Sequence, residues 1–432
     1  MKKIIFAFVL LPLIIYAKSY LISPVPMPKT YILDLDPYPC SERCMQEYLD
    51  HGMIFSFLSH ANSKLENSAH EEIRVANISI LNLGEMTAYA TFMAELQEAP
   101  KAESGVEVIS GVEESGKKVK IAMLLPYKIV GKYAASTTNA ALAYLMTKNY
   151  SFELKSYKIE NESAQEIQKA LAKIQQDGFE YIIAPLTQEG TDVVSALNPS
   201  INIFFPTINK NDSNTQSSFL YFGGIDYRAQ SDLLIKEAVS PLVIFYDQSA
   251  IGSKLALYEE EQFKFGDISN KRVIKYSIPV KTTNLSQYLE QKSNIQNASF
   301  FINTPIVKTG MIMSQLTLYD VNAVNILSTQ INYDSLLLSM TQYEDRKKMI
   351  VANSITHANN LLIEANALLA NDIVYDWINY TTTLGVDYFF SVITQKNREY
   401  DIVLENNQIK HEIELLKPTR YRFVKNQSNL EE

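Results

Sequence analysis

Histidine and cysteine are scarce in this chain, and the shortage removes most routes to catalysis. Five histidines (His51, His60, His70, His357, His411) and two cysteines are spread over 432 residues. They form no HExxH pair, and no G-x-S-x-G elbow occurs elsewhere, so metalloprotease and serine-hydrolase chemistry lack their residues. Also missing is a Gly-rich run of the kind that cradles phosphates. The acidic stretches "YEEEQF" at 258–263 and "QYEDRKK" at 342–348 read as solvated helix faces with charge pairs at helical spacing. No enzyme activity is expected, and no cofactor or metal is implied. Positive charge is short as well: 39 Lys and Arg against 48 Asp and Glu give a net charge of −9. An acidic surface repels phosphate backbones, which excludes nucleic acid as a partner.

Long apolar runs are confined to the first seventeen residues, "MKKIIFAFVLLPLIIYA". Two lysines, an apolar stretch and a small residue are expected to act as a secretory signal, cleaved after Ala17. An uncleaved anchor is the alternative, but the run falls short of the ~20 residues needed to span a bilayer and is broken by Pro12. No cysteine follows it, which argues against a lipoprotein. Loss of the leader removes Lys2 and Lys3 and makes the chain still more acidic. In an exported protein the pair Cys40 and Cys44 is expected to form a disulfide. Redox motifs of this kind usually place two residues between the cysteines rather than three, and zinc would need two further ligands where only His51 and His60 are near.

Residues 18–98 carry apolar positions at helical spacing, as in "CMQEYLDHGMIFSFLSHANSKL", and predict a small all-α domain. The stretch "APKAESGVEVISGVEESGKK" (99–118) holds too few large apolar groups to offset its ordering entropy and reads as a linker. Beyond it strands and helices alternate. "VKIAMLL", "FEYIIAPL", "INIFFPT", "PLVIFYD", "RVIKYSI", "ASFFIN", "NAVNILST" and "KMIVANS" are nearly continuous apolar runs, as parallel strands covered on both faces require. In "NESAQEIQKALAKIQQDGFE", Ser163 and Glu166 make a capping box, Ile167, Leu171 and Ile174 an apolar stripe, and Gly178 the stop. This is a β-α-β unit, and its repetition implies an α/β fold with parallel sheets and right-handed crossovers.

The order "KIAMLLPYKIVGKYAASTTNAALAYL", "FEYIIAPLTQEGTDVVSAL", "INIFFPTIN", "FLYFGGIDYRAQSDLLIKEA", "PLVIFYDQSAIGSKLALYEEEQF" and "REYDIVLENNQIKHEIELLKPTRYRFVKN" resembles the type I periplasmic-binding-protein superfamily. Within it the chain is most similar to the LpoA-type activators of penicillin-binding proteins, which join a helical N-terminal region to a two-lobed module. The resemblance implies a module over 119–425, with lobe 1 at about 119–225 and 355–425, lobe 2 at about 226–350, and a tail at 426–432. Ligands in this fold lie between the lobes at the carboxyl ends of strands. Trp377, on the returning segment, is expected as packing.

The resemblance also points to positions that would hold a ligand. Amino-acid-binding members use hydroxyl residues and backbone N–H groups after the third strand, which here correspond to Thr187, Gln188 and Gly190, followed by Asp226 and Tyr227. Glu189 beside them would repel a carboxylate. An aromatic-Gly pair common in the second lobe is replaced by Ile251 and Gly252 in "DQSAIGSK". Lys132, Tyr133 and Ser136 stand at a helix N-terminus, where backbone N–H groups attract anions. Each polar group left unpartnered costs a bound ligand about 1–3 kcal/mol, so a family-like amino acid is expected to bind poorly. The expected function is therefore a non-enzymatic periplasmic scaffold that docks other envelope proteins: a peptidoglycan synthase by resemblance, or components of an envelope machine such as the flagellar basal disk. The alternative is a solute-binding subunit of an uptake transporter for an amino acid or related small molecule.

Overall fold

The computed structural model describes residues 118–426 apart from 149, 266–270 and 291, together with Glu47, His51 and Met53. The expected leader, Cys40–Cys44 disulfide and nearly all of the helical domain and linker lie outside the described residues. From that region, the His51 carbonyl accepts a hydrogen bond from the Asn360 side chain at 2.6 Å. No helix among the described residues is long and apolar enough to cross a membrane.

Two seven-stranded sheets are built on one plan. The first contains β1 (Val119–Leu125), β2 (Phe152–Lys158), β3 (Tyr181–Ile183), β4 (Asn202–Phe205) and β5 (Leu220–Phe222). The second contains β6 (Leu242–Asp247), β7 (Val273–Ile278), β8 (Ala298–Asn303), β9 (Ala323–Ser328) and β10 (Met349–Asn353). Two hairpins complete them, β11 (Leu404–Glu405) with β12 (Gln408–Ile409) and β13 (Glu414–Pro418) with β14 (Phe423–Lys425). The spatial orders are β2-β1-β3-β4-β5-β12-β11 and β7-β6-β8-β9-β10-β13-β14. The five main strands of each sheet run parallel, β1 matching Val119 to Phe152 of β2 and β6 matching Leu242 to Val273 of β7.

Parallel strands need crossover helices, and these cover both faces of each sheet. The labelled helices are α1 (Tyr133–Met146), α2 (Ala164–Gln176), α3 (Gln188–Leu197), α4 (Tyr227–Lys236), α5 (Ala250–Lys264), α6 (Ile306–Leu318), α7 (Asn360–Leu368) and α8 (Trp377–Thr394). Strand β1 shows why its run is continuously apolar: Ile121 and Met123 join the core under α1, α7 and α8, whereas Ala122 and Leu124 join the core under α2 and α3. Strand β6 divides likewise, Val243 and Phe245 on one side and Leu242 and Ile244 on the other. The Ser163 cap forms as the sequence predicts, its Oγ accepting the Glu166 N–H at 3.4 Å, with Ile167, Leu171 and Ile174 buried beneath.

The chain passes between the sheets three times, after β5, after β10 and after β12. The third passage corrects the expected lobe boundaries. The resemblance places residues 414–425 in lobe 1, yet β13 pairs antiparallel with β10 of the second sheet, Val351 opposite Leu416. Only the β11–β12 hairpin and the helices α7 and α8 return to the first. The crossings are tied together: the His411 ring meets the Gly223 carbonyl at 3.0 Å through Nε2, and the Tyr380 hydroxyl on α8 accepts the Thr356 N–H at 3.2 Å.

Candidate functional site

The carboxyl ends of the parallel strands face one another across the cleft, so the helix starts on that edge decide what the cleft can hold. Thr187 is the N-cap of α3, and its Oγ accepts the Gly190 N–H at 3.4 Å. Its own donors are already engaged. The Thr187 N–H donates to Glu162 Oε1 at 2.8 Å, and the Thr187 hydroxyl donates to Glu162 Oε2. Glu162 is only 8% exposed. A Cβ added to Gly190 would stand 2.6 Å from the Glu162 carboxyl carbon, so glycine is what lets the carboxylate settle into the start of the helix. The site expected to hold a ligand's carboxylate thus holds one supplied by the chain.

The second lobe repeats the device. Ser249 caps α5, accepting the Gly252 N–H at 3.0 Å, while its N–H and hydroxyl both donate to Asp247 Oδ1, the former at 3.2 Å. A Cβ on Gly252 would lie 2.3 Å from that same oxygen. An incoming carboxylate has to displace a tethered one in either lobe, against the high effective concentration that tethering confers.

Between the lobes lies a cavity of about 460 Å³. Its walls carry the rings of Tyr133, Tyr227, Tyr333, Tyr375 and Trp377. Three carboxylates join them, Asp334, Asp372 and Asp376, and no Lys, Arg or His is among its lining residues. The acids are placed by local capping. Asp334 Oδ1 accepts the Leu336 N–H at 2.8 Å, Asp372 Oδ1 accepts those of Val374 and Tyr375 at 2.6 and 3.0 Å, and Asp376 Oδ1 caps α8 by accepting the Asn379 N–H at 3.1 Å. None of the three forms an ion pair with a described cation. Removal from water raises the Asp376 pKa above the ordinary carboxylate value, the Asp372 charge adding to it and Lys132 opposing it. Asp372, the more open of the two, is raised by desolvation at the wall and by the charge of Asp334. Burial pushes the Tyr227 hydroxyl up to about 12.

Side-chain contacts also join the two lobes. Lys254 on α5 pairs with Asp212 of the first lobe at 2.6 Å. Tyr375 packs on Tyr333 with ring centroids 5.2 Å apart, and Tyr333 on Phe423 at 4.8 Å. Of the residues singled out from sequence, Tyr133 and Tyr227 line this space, together with Ile251. The others are placed elsewhere. Gln188 donates to Asp192 Oδ1 at 3.0 Å and to the Asp212 carbonyl at 2.9 Å. Asp226 caps α4 through the Ala229 N–H at 3.0 Å. Lys132 is exposed, its ammonium 5.3 Å from the centre of the Tyr133 ring. The Ser136 carbonyl accepts from Asn371 at 2.9 Å, and its hydroxyl is buried without a partner among the described residues. Trp377, expected as packing, both packs against the first-lobe core and lines the cavity. Sequence reasoning passed over Glu162, Asp372 and Asp376. Their local signals, "NES" before a helix and "DIVYDW" with acids four apart, read as ordinary caps.

No protein-family model matches this sequence, and no curated protein does. Solved structures match at the level of fold. An ABC transporter substrate-binding protein from Sphaerobacter thermophilus aligns with a TM-score of 0.55 at 11% identity, covering 72% of this chain and 97% of its own. The branched-chain amino acid transporter substrate-binding protein LivJ from Streptococcus pneumoniae, solved with isoleucine, aligns with a TM-score of 0.53 at 11% identity over 72% of this chain and 100% of its own. LpoA from Haemophilus influenzae aligns with a TM-score of 0.50 at 12% identity, over 73% of this chain and 59% of its own. The described module therefore has the two-lobed periplasmic-binding-protein fold that both solute-binding proteins and LpoA use.

Proposed function

We propose that the protein is a non-enzymatic component of the cell envelope that acts by binding another envelope protein through its outer surface. One observation carries the reading: Glu162 and Asp247 occupy the helix starts that would otherwise receive a ligand's carboxylate. A transporter subunit for amino acids needs those donors open, because a charged guest without partners loses about 1–3 kcal/mol per unsatisfied group. The leader-like N-terminus supports a location outside the cytoplasm, and the fold shared with LpoA makes a peptidoglycan synthase the first partner to try, with flagellar disk components second. Photo-crosslinking residues placed on the exposed faces of α2 and α6 and expressed in the native cell should trap one discrete envelope protein, the same from neighbouring positions. In parallel, the purified chain is expected to show no thermal shift with any of the twenty amino acids. A saturable rise in melting temperature with one of them, abolished by Thr187→Ala, would overturn the scaffold and install the solute-binding alternative.

A further inference from the structure

The cavity between the lobes has a composition that the self-occupied helix starts do not explain. Its acids, Asp334, Asp372 and Asp376, stand on two separate segments and converge on one space without a neutralising ion pair among the described residues. Like charges gathered around one space repel: desolvation raises the proton affinity of Asp372 and Asp376, and the charge of Asp334 adds to it at Asp372 and that of Asp372 at Asp376. Such an arrangement relaxes when a cation enters. A metal ion does not fit the pattern, since no set of three acidic, histidine or cysteine side chains among the described residues is arranged to hold one. The rings decide the rest. The faces of Tyr and Trp attract a cation electrostatically, most strongly when water is excluded. A volume of about 460 Å³ falls within the range of small-molecule pockets.

We propose that this interlobe cavity binds an organic cation, an amine or guanidinium compound carrying no carboxylate. The aromatic walls take the alkyl or cationic body, and Asp372 and Asp376 take the charge. A free carboxylate on the ligand would meet three like charges and find both helix starts filled. Lys132 is a base whose charge is felt at Asp376. It is exposed and lies over the Tyr133 ring, so it can swing clear when a cation occupies the site. The inference stands apart from the scaffold reading, because the same chemistry is carried by a free amine and by a Lys or Arg side chain of a docked protein.

Trp377, the single tryptophan of the chain, lines the cavity and reports on it directly. The full chain is titrated with spermidine, agmatine and choline, with an Arg-containing peptide blocked at both ends, and with arginine beside arginine amide, following Trp377 fluorescence. Expected are a saturable change with at least one free cation or with the peptide, and tighter binding of arginine amide than of arginine. Response to a free amine assigns a small ligand, and response to the peptide alone assigns a partner's side chain; either supports the site. The double variant Asp372→Asn/Asp376→Asn keeps the local caps, since Asn caps helices as well as Asp does. It should weaken binding by roughly tenfold or more while melting no lower than the parent, whose like charges it removes. The proposal fails if neither the free cations nor the peptide perturbs Trp377, if the double variant binds as the parent does, or if arginine binds more tightly than its amide.

Discussion

Replacing Glu162 by alanine should both loosen the first lobe and open a carboxylate site that the native chain lacks. Two donors point at this buried side chain, the Thr187 N–H at 2.8 Å and the Thr187 hydroxyl. Hydrogen bonds to a charged acceptor contribute about 1.5–3 kcal/mol each, but water can follow into the space that truncation leaves, so a net loss of about 2–4 kcal/mol is expected. At about 2 °C per kcal/mol for a module of this size, the melting temperature should fall by roughly 4–8 °C. Acetate or glycine then has a ready-made seat at the start of α3, with backbone N–H groups and no competing carboxylate. At ten times its dissociation constant, either restores about 1.4 kcal/mol, or roughly 3 °C, to Glu162→Ala and nothing to the parent. Glu162→Gln is the control. It keeps an acceptor for the Thr187 N–H and still plugs the site, so it should lose less stability and gain nothing from acetate. Differential scanning fluorimetry of the three proteins against acetate, with chloride at matched ionic strength, decides the matter. If Glu162→Ala melts with the parent, or if chloride rescues it as well as acetate does, the carboxylate is not what fills this helix start.

Three further perturbations test other parts of the fold. Asp387 on α8 is fully buried and accepts from the Tyr144 hydroxyl at 2.7 Å, Arg398 Nε at 3.0 Å and the Glu399 N–H at 2.7 Å, so Asp387→Ala should cost about 3–5 kcal/mol by calorimetry, against little for an exposed acid such as Glu405. Glu259, buried against Asn303 and Ser231, has its pKa held well above 4.5 by desolvation. A raised carboxyl pKa gives stability that is present below the unfolded value and lost as pH rises toward the folded one, so Glu259→Gln should melt higher than the parent at pH 8 and lose that advantage near pH 4.5, read from paired melting curves. His411 behaves oppositely: burial depresses its pKa to about 4, and its stabilisation, present above 6.5, is lost as pH falls from there toward 4. His411→Gln should flatten the parent's acid loss in that window, and an unchanged pH profile would show that the ring does not stay neutral at the third crossing.

What the sequence disclosed follows from how far each physical signal reaches. Strands buried on both faces, such as β1, β6 and β8, announce themselves as apolar runs. Strand β2 does not: it lies at the sheet edge, buries Phe152, Leu154 and Tyr157, and sends Lys155 to Asp177 at 2.7 Å, so "FELKSYK" reads as mixed. The hairpins β11–β12 and β13–β14 are too short to carry a period, and the second of them therefore stayed with the wrong lobe. The site divides in the same way. Thr187 was pointed to by the family resemblance, and its place at the start of α3 is local, a hydroxyl before a helix accepting the Gly190 N–H. Which carboxylate receives its donors was not legible, because Glu162 lies twenty-five residues earlier and reaches the site only through the packing of the loop after β2. Asp372 and Asp376 were hidden for the converse reason: each satisfies a local backbone N–H so well that its second role, facing a common cavity with Asp334, leaves no mark on the sequence. Charge thus runs opposite to the expectation drawn from the helix starts. With one tethered carboxylate neutralising the start of α3 and another that of α5, the fixed charge remaining on the cavity walls is negative, and the sign of any guest is set by Asp334, Asp372 and Asp376 rather than by Thr187.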